Sequence, residues 1–155
     1  MDKRRTKKLI LGIGNILLQD EGIGVRVIEY LQNKPLPEDV ELVDGGTAGA
    51  DLIDILADRE IVVIVDAVEF DAPVGTILRM TPDDWLRRQK DVLSLHDLDI
   101  SQTMAMTGML GCAPRKVVCF GIVPKAIQPE MSLSQELSVL VPVIADCILT
   151  EVSNT

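Results

Sequence analysis

Aromatic residues are scarce in this 155-residue chain: one Trp, one Tyr and two Phe make up 3% of it, although 47% is hydrophobic. A core drawn from such a sequence is aliphatic, built from Val, Ile, Leu and Met, and that suits parallel strands covered on both faces. Histidine occurs once, at His96, which excludes three-histidine metal sites and the His-Glu-x-x-His helix. Cysteine occurs three times, at Cys112, Cys119 and Cys147, with no Cys-x-x-Cys pair. The odd count and wide spacing argue against a disulfide framework or a cysteine zinc site, and the simplest compartment is a reducing cytoplasm. Basic residues are outnumbered, 15 against 24 acidic for a net charge of -9, so nucleic acid is not an expected partner. No Gly-x-Ser-x-Gly elbow is present for a serine triad. No long apolar run follows the basic cluster of Lys3-Arg4-Arg5 and Lys7-Lys8, because Gly12, Gly14, Gln19 and Asp20 interrupt it. The cluster therefore reads as neither signal peptide nor membrane anchor, but as a flexible solvated tail over residues 1–7. Repeats, linkers and low-complexity segments are also missing. A single domain over 1–155 is expected, large enough to bury roughly 70% of its unfolded surface.

What is present centres on the stretch from Gly12 to Gly24, which joins the aliphatic run Leu9-Ile10-Leu11 to a segment whose apolar residues Ile23, Val27 and Leu31 recur four apart. A strand enters and a helix leaves. Glycines at 12 and 14 permit backbone conformations closed to other residues, and Asp20 reads as the N-cap of the helix, its charge favoured by the positive end of the dipole. One cap satisfies the helix end, so the adjacent Glu21 is left without a structural explanation. The run lacks the third glycine of a dinucleotide fingerprint, and carboxylates at the helix start repel a pyrophosphate.

Further on, Val40-Glu41-Leu42-Val43 alternates like a strand until Asp44-Gly45-Gly46-Thr47 breaks it, and Leu52, Ile53 and Leu56 give the next helix an apolar face. Ile61-Val62-Val63-Ile64-Val65 is a β-branched run expected of a strand buried on both faces, ending in Asp66. Strand, helix, strand, helix, strand implies a parallel sheet with right-handed crossovers, whose strand ends share one edge where ligands bind. After the turn Ala72-Pro73-Val74-Gly75, residues 76–80 form a short strand expected to run antiparallel. Thr81-Pro82-Asp83-Asp84 starts a short helix carrying Trp85. His96 precedes a longer helix with Met104, Ala105, Gly108 and Met109 facing inward and Gly111 as its stop. Lys116 to Val123 is another buried strand, closed by Pro124. Ser132-x-x-Gln135 resembles a capping box for the last helix, which keeps Leu137, Leu140, Val141, Ile144 and Ile148 on one side and is kinked or restarted at Pro142.

This topology brings Glu21, Asp66 and His96 to one sheet edge as an accessible cluster. Two carboxylates and an imidazole suit a borderline divalent metal such as nickel or zinc; three donors without a fourth bind it weakly and exchangeably. His96 also reads as a surface or capping residue beside Asp97 and Asp99. Asp44, at the second strand's end, is a secondary candidate, as a catalytic acid or as a helix cap. A competing reading is a phosphoacceptor receiver-like signalling domain using Glu21, Asp66 and Lys125, although such domains place their acids directly after the strand whereas residues 12 to 19 intervene.

The residues Gly12-Ile13-Gly14-Asn15-x-Leu17-x-x-Asp20-Glu21-Gly22-x-Gly24, Asp44-Gly45-Gly46-Thr47, Asp66-Ala67, Ser94-x-His96 and Gly121-x-x-Pro124 resemble the hydrogenase maturation endopeptidases, in order from about residue 8 to 150. The resemblance implies an α/β three-layer sandwich with a mostly parallel, mixed five-stranded sheet between helices. It also implies a cytoplasmic protease, grouped with the aspartyl proteases, that removes the C-terminal extension of the nickel-iron hydrogenase large-subunit precursor after nickel insertion. Glu21, Asp66 and His96 would then bind the nickel of the substrate, with little nickel held by the protein alone and no membrane insertion.

Overall fold

The computed structural model describes residues 7–46, 52–81, 83–84, 93–94 and 100–154. The elements run β1 (Lys8–Ile13), a 3-10 turn (Gln19–Gly22), α1 (Ile23–Gln32), β2 (Val40–Gly46), α2 (Leu52–Leu56), β3 (Ile61–Glu69), β4 (Ile77–Met80), β5 (Leu93–Ser94), α3 (Ile100–Met109), β6 (Lys116–Ile122), α4 (Gln135–Ser138) and α5 (Val141–Ser153). Five strands form a mixed sheet in the order β2-β1-β3-β6-β4, and the two-residue β5 pairs antiparallel with the far end of β3. The first four of that order are mutually parallel; β4 runs antiparallel to β6.

Side chains alternate across the central strands because the period of a strand is two. Ile10, Ile61, Val63, Val65 and Val118 join one core with Ile23, Val27 and Leu31 of α1 and Ile144 and Ile148 of α5. Their neighbours Leu9, Leu11, Val62, Ile64 and Val117 join a second core with Leu52 and Leu56 of α2. Both faces are therefore covered, as the near-continuous apolar runs require. At the sheet's lower edge the basic run enters the fold at Lys7, whose carbonyl accepts from Glu60 N (2.7 Å), and Lys8 Nζ donates to the Val152 carbonyl at 2.9 Å.

Several sequence expectations shift. β2 continues through Asp44-Gly45 to Gly46 instead of breaking, with a register irregularity opposite Gly12 and Ile13. Asp66 does not end β3: it pairs in register with Gly121, and the strand runs on to Glu69. The single last helix expected from the sequence is two, α4 and α5, and the cap of α4 is Ser134, whose hydroxyl accepts from Leu137 N (3.4 Å), two residues beyond Ser132. Pro142 sits in the first turn of α5, where its missing N–H has no helical partner to lose. On α3, Ala105, Gly108 and Met109 face solvent, Met109 at 88% exposure, and among the side chains described on this helix Thr107 is the buried one; the Met104 side chain lies outside them. The α3–α2 contact is what turns that face inward. Thr81 and Asp84 bond reciprocally, Thr81 Oγ1 to Asp84 Oδ2 at 2.9 Å and Asp84 N to Thr81 Oγ1 at 3.3 Å, as a helix start should; Trp85 lies outside the described residues.

The element that positions everything else is the seat of α1. A Cβ on Gly24 would lie 2.3 Å from the carbonyl oxygens of both Ile13 and Val65, and one on Gly12 would lie 2.3 Å from the Gly24 oxygen. Helix backbone thus rests on strand backbone, which only glycine allows. Gly24→Ala is expected to cost about 3 kcal/mol, read as a lower denaturation midpoint at unchanged m-value. Gly108→Ala, on an exposed helix position with nothing within 4 Å, should instead stabilise by about 0.5 kcal/mol.

Candidate active site

The loop leaving β1 turns on Gly14, whose φ of 149° is open to glycine. A Cβ there would lie 2.1 Å from the Glu21 carbonyl oxygen, so the loop folds directly against the 3-10 turn. Asn15 closes the bend by accepting from Leu17 N through Oδ1 (3.0 Å) and from Leu18 N through its carbonyl (3.1 Å). Gln19 is held at a φ of 49°, which costs a non-glycine residue about 1 kcal/mol, by donating its N–H to the Glu130 carbonyl at 2.8 Å.

The two adjacent acids then part ways. Asp20 is fully buried and caps nothing: the residue before α1 is Gly22, with no side-chain cap. The Asp20 carboxylate instead accepts four hydrogen bonds, from Lys125 N (2.9 Å), Ala126 N (3.1 Å), Ser134 N (2.8 Å) and Ser134 Oγ (2.8 Å). The local capping signature was misleading because these donors lie more than 100 residues away. A buried carboxylate met by four donors is stable where an isolated one is not, and it ties the loop after β6 to the turn that carries Glu21.

Glu21 is 8% exposed and Asp66 1%. They sit on contacting elements, the 3-10 turn and β3, and Gly24 presses on the carbonyl of Val65 immediately before Asp66. The structure therefore brings these two expected site residues to the same edge of the sheet, buried where an accessible pair was expected. His96 lies outside the described residues, and among the described residues no three His, Cys, Asp or Glu side chains gather as a metal-holding set. Cys119 lies on the strand beside Asp66; burial, and then the Asp66 charge, push its thiol pKa upward, which makes it a poor nucleophile.

Asp44 stands apart. It is exposed, two strands from Asp66, and its Oδ1 accepts from Gly46 N at 2.8 Å, which closes a local turn and rules out the helix cap. It lines a groove of about 440 Å³ together with loop residues 14–17, Val25 and Gly46. Lys125 does not join Glu21 and Asp66 as a receiver domain requires. Its Nζ pairs with Glu136 Oε1 at 2.9 Å in an exposed ion pair, and only its backbone N–H turns to the site, toward Asp20.

A family model described as hydrogenase maturation protease (HycI) matches residues 25–151. The chain belongs to the hydrogenase maturation proteases. It is accordingly a peptidase. The hydrogenase 2 maturation protease of Escherichia coli K12 is 34% identical over 136 residues, covering 86% of this chain and 82% of the relative. The hydrogenase expression/formation protein HupD of Thiocapsa roseopersicina is 38% identical over 75% of the chain, which spans about half (53%) of that longer relative. In structure, the hydrogenase maturating endopeptidase HybD from E. coli superposes with a TM-score of 0.87 at 31% identity, over 96% of this chain and 93% of the other. The family match takes in Asp44, Asp66 and His96 and begins just after Glu21, whereas the structural match takes in nearly the whole protease.

The Asp20 lock yields a direct test. Asp20→Asn presents an amide donor to N–H groups that need an acceptor, so it should cost about 3 kcal/mol. In native-state hydrogen exchange, protection of the Lys125, Ala126 and Ser134 amides should fall more than protection in β1 and β3.

Proposed function

We propose that this protease removes a C-terminal extension from the large-subunit precursor of a nickel-iron hydrogenase after nickel has been inserted, and that Glu21, Asp66 and His96 engage the nickel carried by the substrate. The observation that carries this reading is the buried pair Glu21 and Asp66 on contacting elements at the carboxyl edge of the sheet, in a chain of this family. Two carboxylates and the chain's single imidazole are an incomplete ligand set for a borderline divalent ion. A metal-bearing precursor completes it. Nickel is therefore part of the substrate in this reading, not a resident cofactor.

The chemistry asked of the protein is positioning. A metal held between enzyme and precursor orients the scissile peptide and polarises its carbonyl, while a carboxylate orients the attacking water. Glu21 and Asp66 are the candidates for that role by burial, with Asp44 next, so an acid-assisted, aspartyl-type hydrolysis needs no side-chain nucleophile. Cytoplasmic action fits three cysteines that are all free thiols, and among the described residues no helix is long and apolar enough to cross a membrane. The receiver-like reading is not favoured, since Lys125 Nζ is directed to Glu136.

Glu21→Gln and Asp66→Asn remove charge while keeping shape, so each is expected to lower processing at least about 100-fold with the fold retained by circular dichroism. Wild-type rates in both variants would remove these residues from the site. Nickel dependence has its own measurement. Purified protease is incubated with metal-free and nickel-loaded precursor, and the released C-terminal peptide is followed by mass spectrometry. Release should require nickel; equal release from both would leave a peptidase that does not read the metal.

A further inference from the structure

Glu21 and Asp66, the carboxylates proposed to meet a metal on another protein, are both buried, so a precursor reaches them only after some part of the fold gives way. The elements that carry them are interlocked through backbone contact at Gly24 and an aliphatic core, and moving them would break both. The strap 124–133, which leaves β6, lies against the 3-10 turn and leads to α4, is of another kind. None of its side chains is fully buried, and Ile127 and Met131 stand in solvent. Polar links fasten it. Lys125 N and Ala126 N donate to the Asp20 carboxylate at 2.9 and 3.1 Å, and Asp20 N donates back to the Ala126 carbonyl at 3.3 Å. Gln19 N donates to the Glu130 carbonyl at 2.8 Å, and Arg26 Nη2 to the Met131 carbonyl. A segment with few buried apolar contacts is where a fold opens locally at least expense.

One residue under the strap is held at a disadvantage. Gln19 has a φ of 49°, in the left-handed region that glutamine seldom occupies, and its side-chain Oε1 is buried with no hydrogen-bond partner among the described residues. A strained backbone and an orphaned acceptor persist only where their surroundings enforce them. Here the enforcing bonds lie on either side of Gln19, one to Glu130 and the others from the Asp20 carboxylate to Lys125 and Ala126, and all of them belong to the strap. Lifting the strap frees the Gln19 backbone and gives Oε1 to water. The closed state therefore carries a penalty that the open state lacks, set against the links that hold it shut.

We propose that the strap 124–133 is a gate over Glu21 and Asp66, latched by Asp20 and biased toward opening by Gln19. Gln19 is thereby a positioning residue that acts on the gate and not on the reacting atoms. The inference rests on the proposed contact of Glu21 and Asp66 with the precursor's metal and adds the movement that admits it. Only open molecules bind, so the apparent KM is raised by the inverse of the open fraction while kcat is untouched.

Three variants move the gate. Gln19→Met keeps the length of the side chain and removes the orphaned acceptor, Gln19→Gly removes the backbone strain, and Arg26→Gln releases one tether. Native-state hydrogen exchange at the Asp20, Lys125 and Ala126 amides, measured on the protein alone, reads the open fraction, and processing of nickel-loaded precursor reads KM and kcat. Gln19→Met should slow that exchange at least about fivefold and raise KM by the same factor at unchanged kcat. Gln19→Gly should act in the same direction, and Arg26→Gln should move both quantities the other way. A side chain with only a structural role would lose protection when replaced. Unchanged or faster exchange in Gln19→Met overturns the bias, and slower exchange at unchanged KM overturns the gate. A metal-free precursor run alongside separates the two readings: release without nickel would overturn metal recognition, and the relation between exchange and KM would still decide the gate.

Discussion

Direct contact between helix backbone and strand backbone at Gly24 is the constraint from which the rest of the site follows. Side chains ordinarily hold a helix several ångströms off a sheet, as α1 is held further along by Val27 and Leu31. At its first turn that spacer is missing, and the carbonyls of Ile13 and Val65 come within reach of the Gly24 Cα. The 3-10 turn before the helix is thereby driven into the gap above β1 and β3. Any residue placed there is buried at the strand ends, whatever its polarity. Two acids occupy it.

Burying two adjacent carboxylates is costly unless each is compensated, and the fold compensates them differently. Asp20 is given four donors, three of them backbone N–H groups of a segment that otherwise has little apolar substance to anchor it. Its charge does structural work over a long loop, much as a bound anion would. Glu21, one residue on, keeps its place at the edge with Asp66. The glycines of the loop after β1 serve close packing.

The layout of the fold was legible because it depends on local periodicity. The β-branched runs at 61–65 and 116–123, the four-residue spacing from Ile23, and the antiparallel placement of 76–80 all survive in the structure. Misreadings arose where a partner is distant. Asp20 next to a helix start looks like a cap, and nothing near it in sequence names Lys125 or Ser134 as donors. Ser132 and Ser134 offer alternative starts for one helix, and only the geometry chooses. Met109 has core-like chemistry but lies on the exposed side of α3, because Thr107 is the residue turned inward. For the site, the one sequence signal that mattered was surplus: a helix needs one cap, and a second acid with no structural employment pointed to Glu21. Asp66 was legible as the charge closing the β-branched run, although the strand continues past it to Glu69.

A site of this kind gains selectivity from being incomplete. Carboxylates preorganised on contacting, rigid elements have already had their desolvation cost met by folding, so a cation arriving on a partner gains attraction without reorganising its ligands. A metal-free partner offers no such gain and meets only like charge. Discrimination between the two is then a difference in binding free energy created by what is withheld as much as by what is offered. On the proposed reading, this explains why the chain carries no serine elbow and a single histidine. A self-sufficient nucleophile or a closed metal centre would cleave whatever peptide reached the edge. On that same reading, with the decisive cation left to the substrate, hydrolysis would be confined to the partner that brings it.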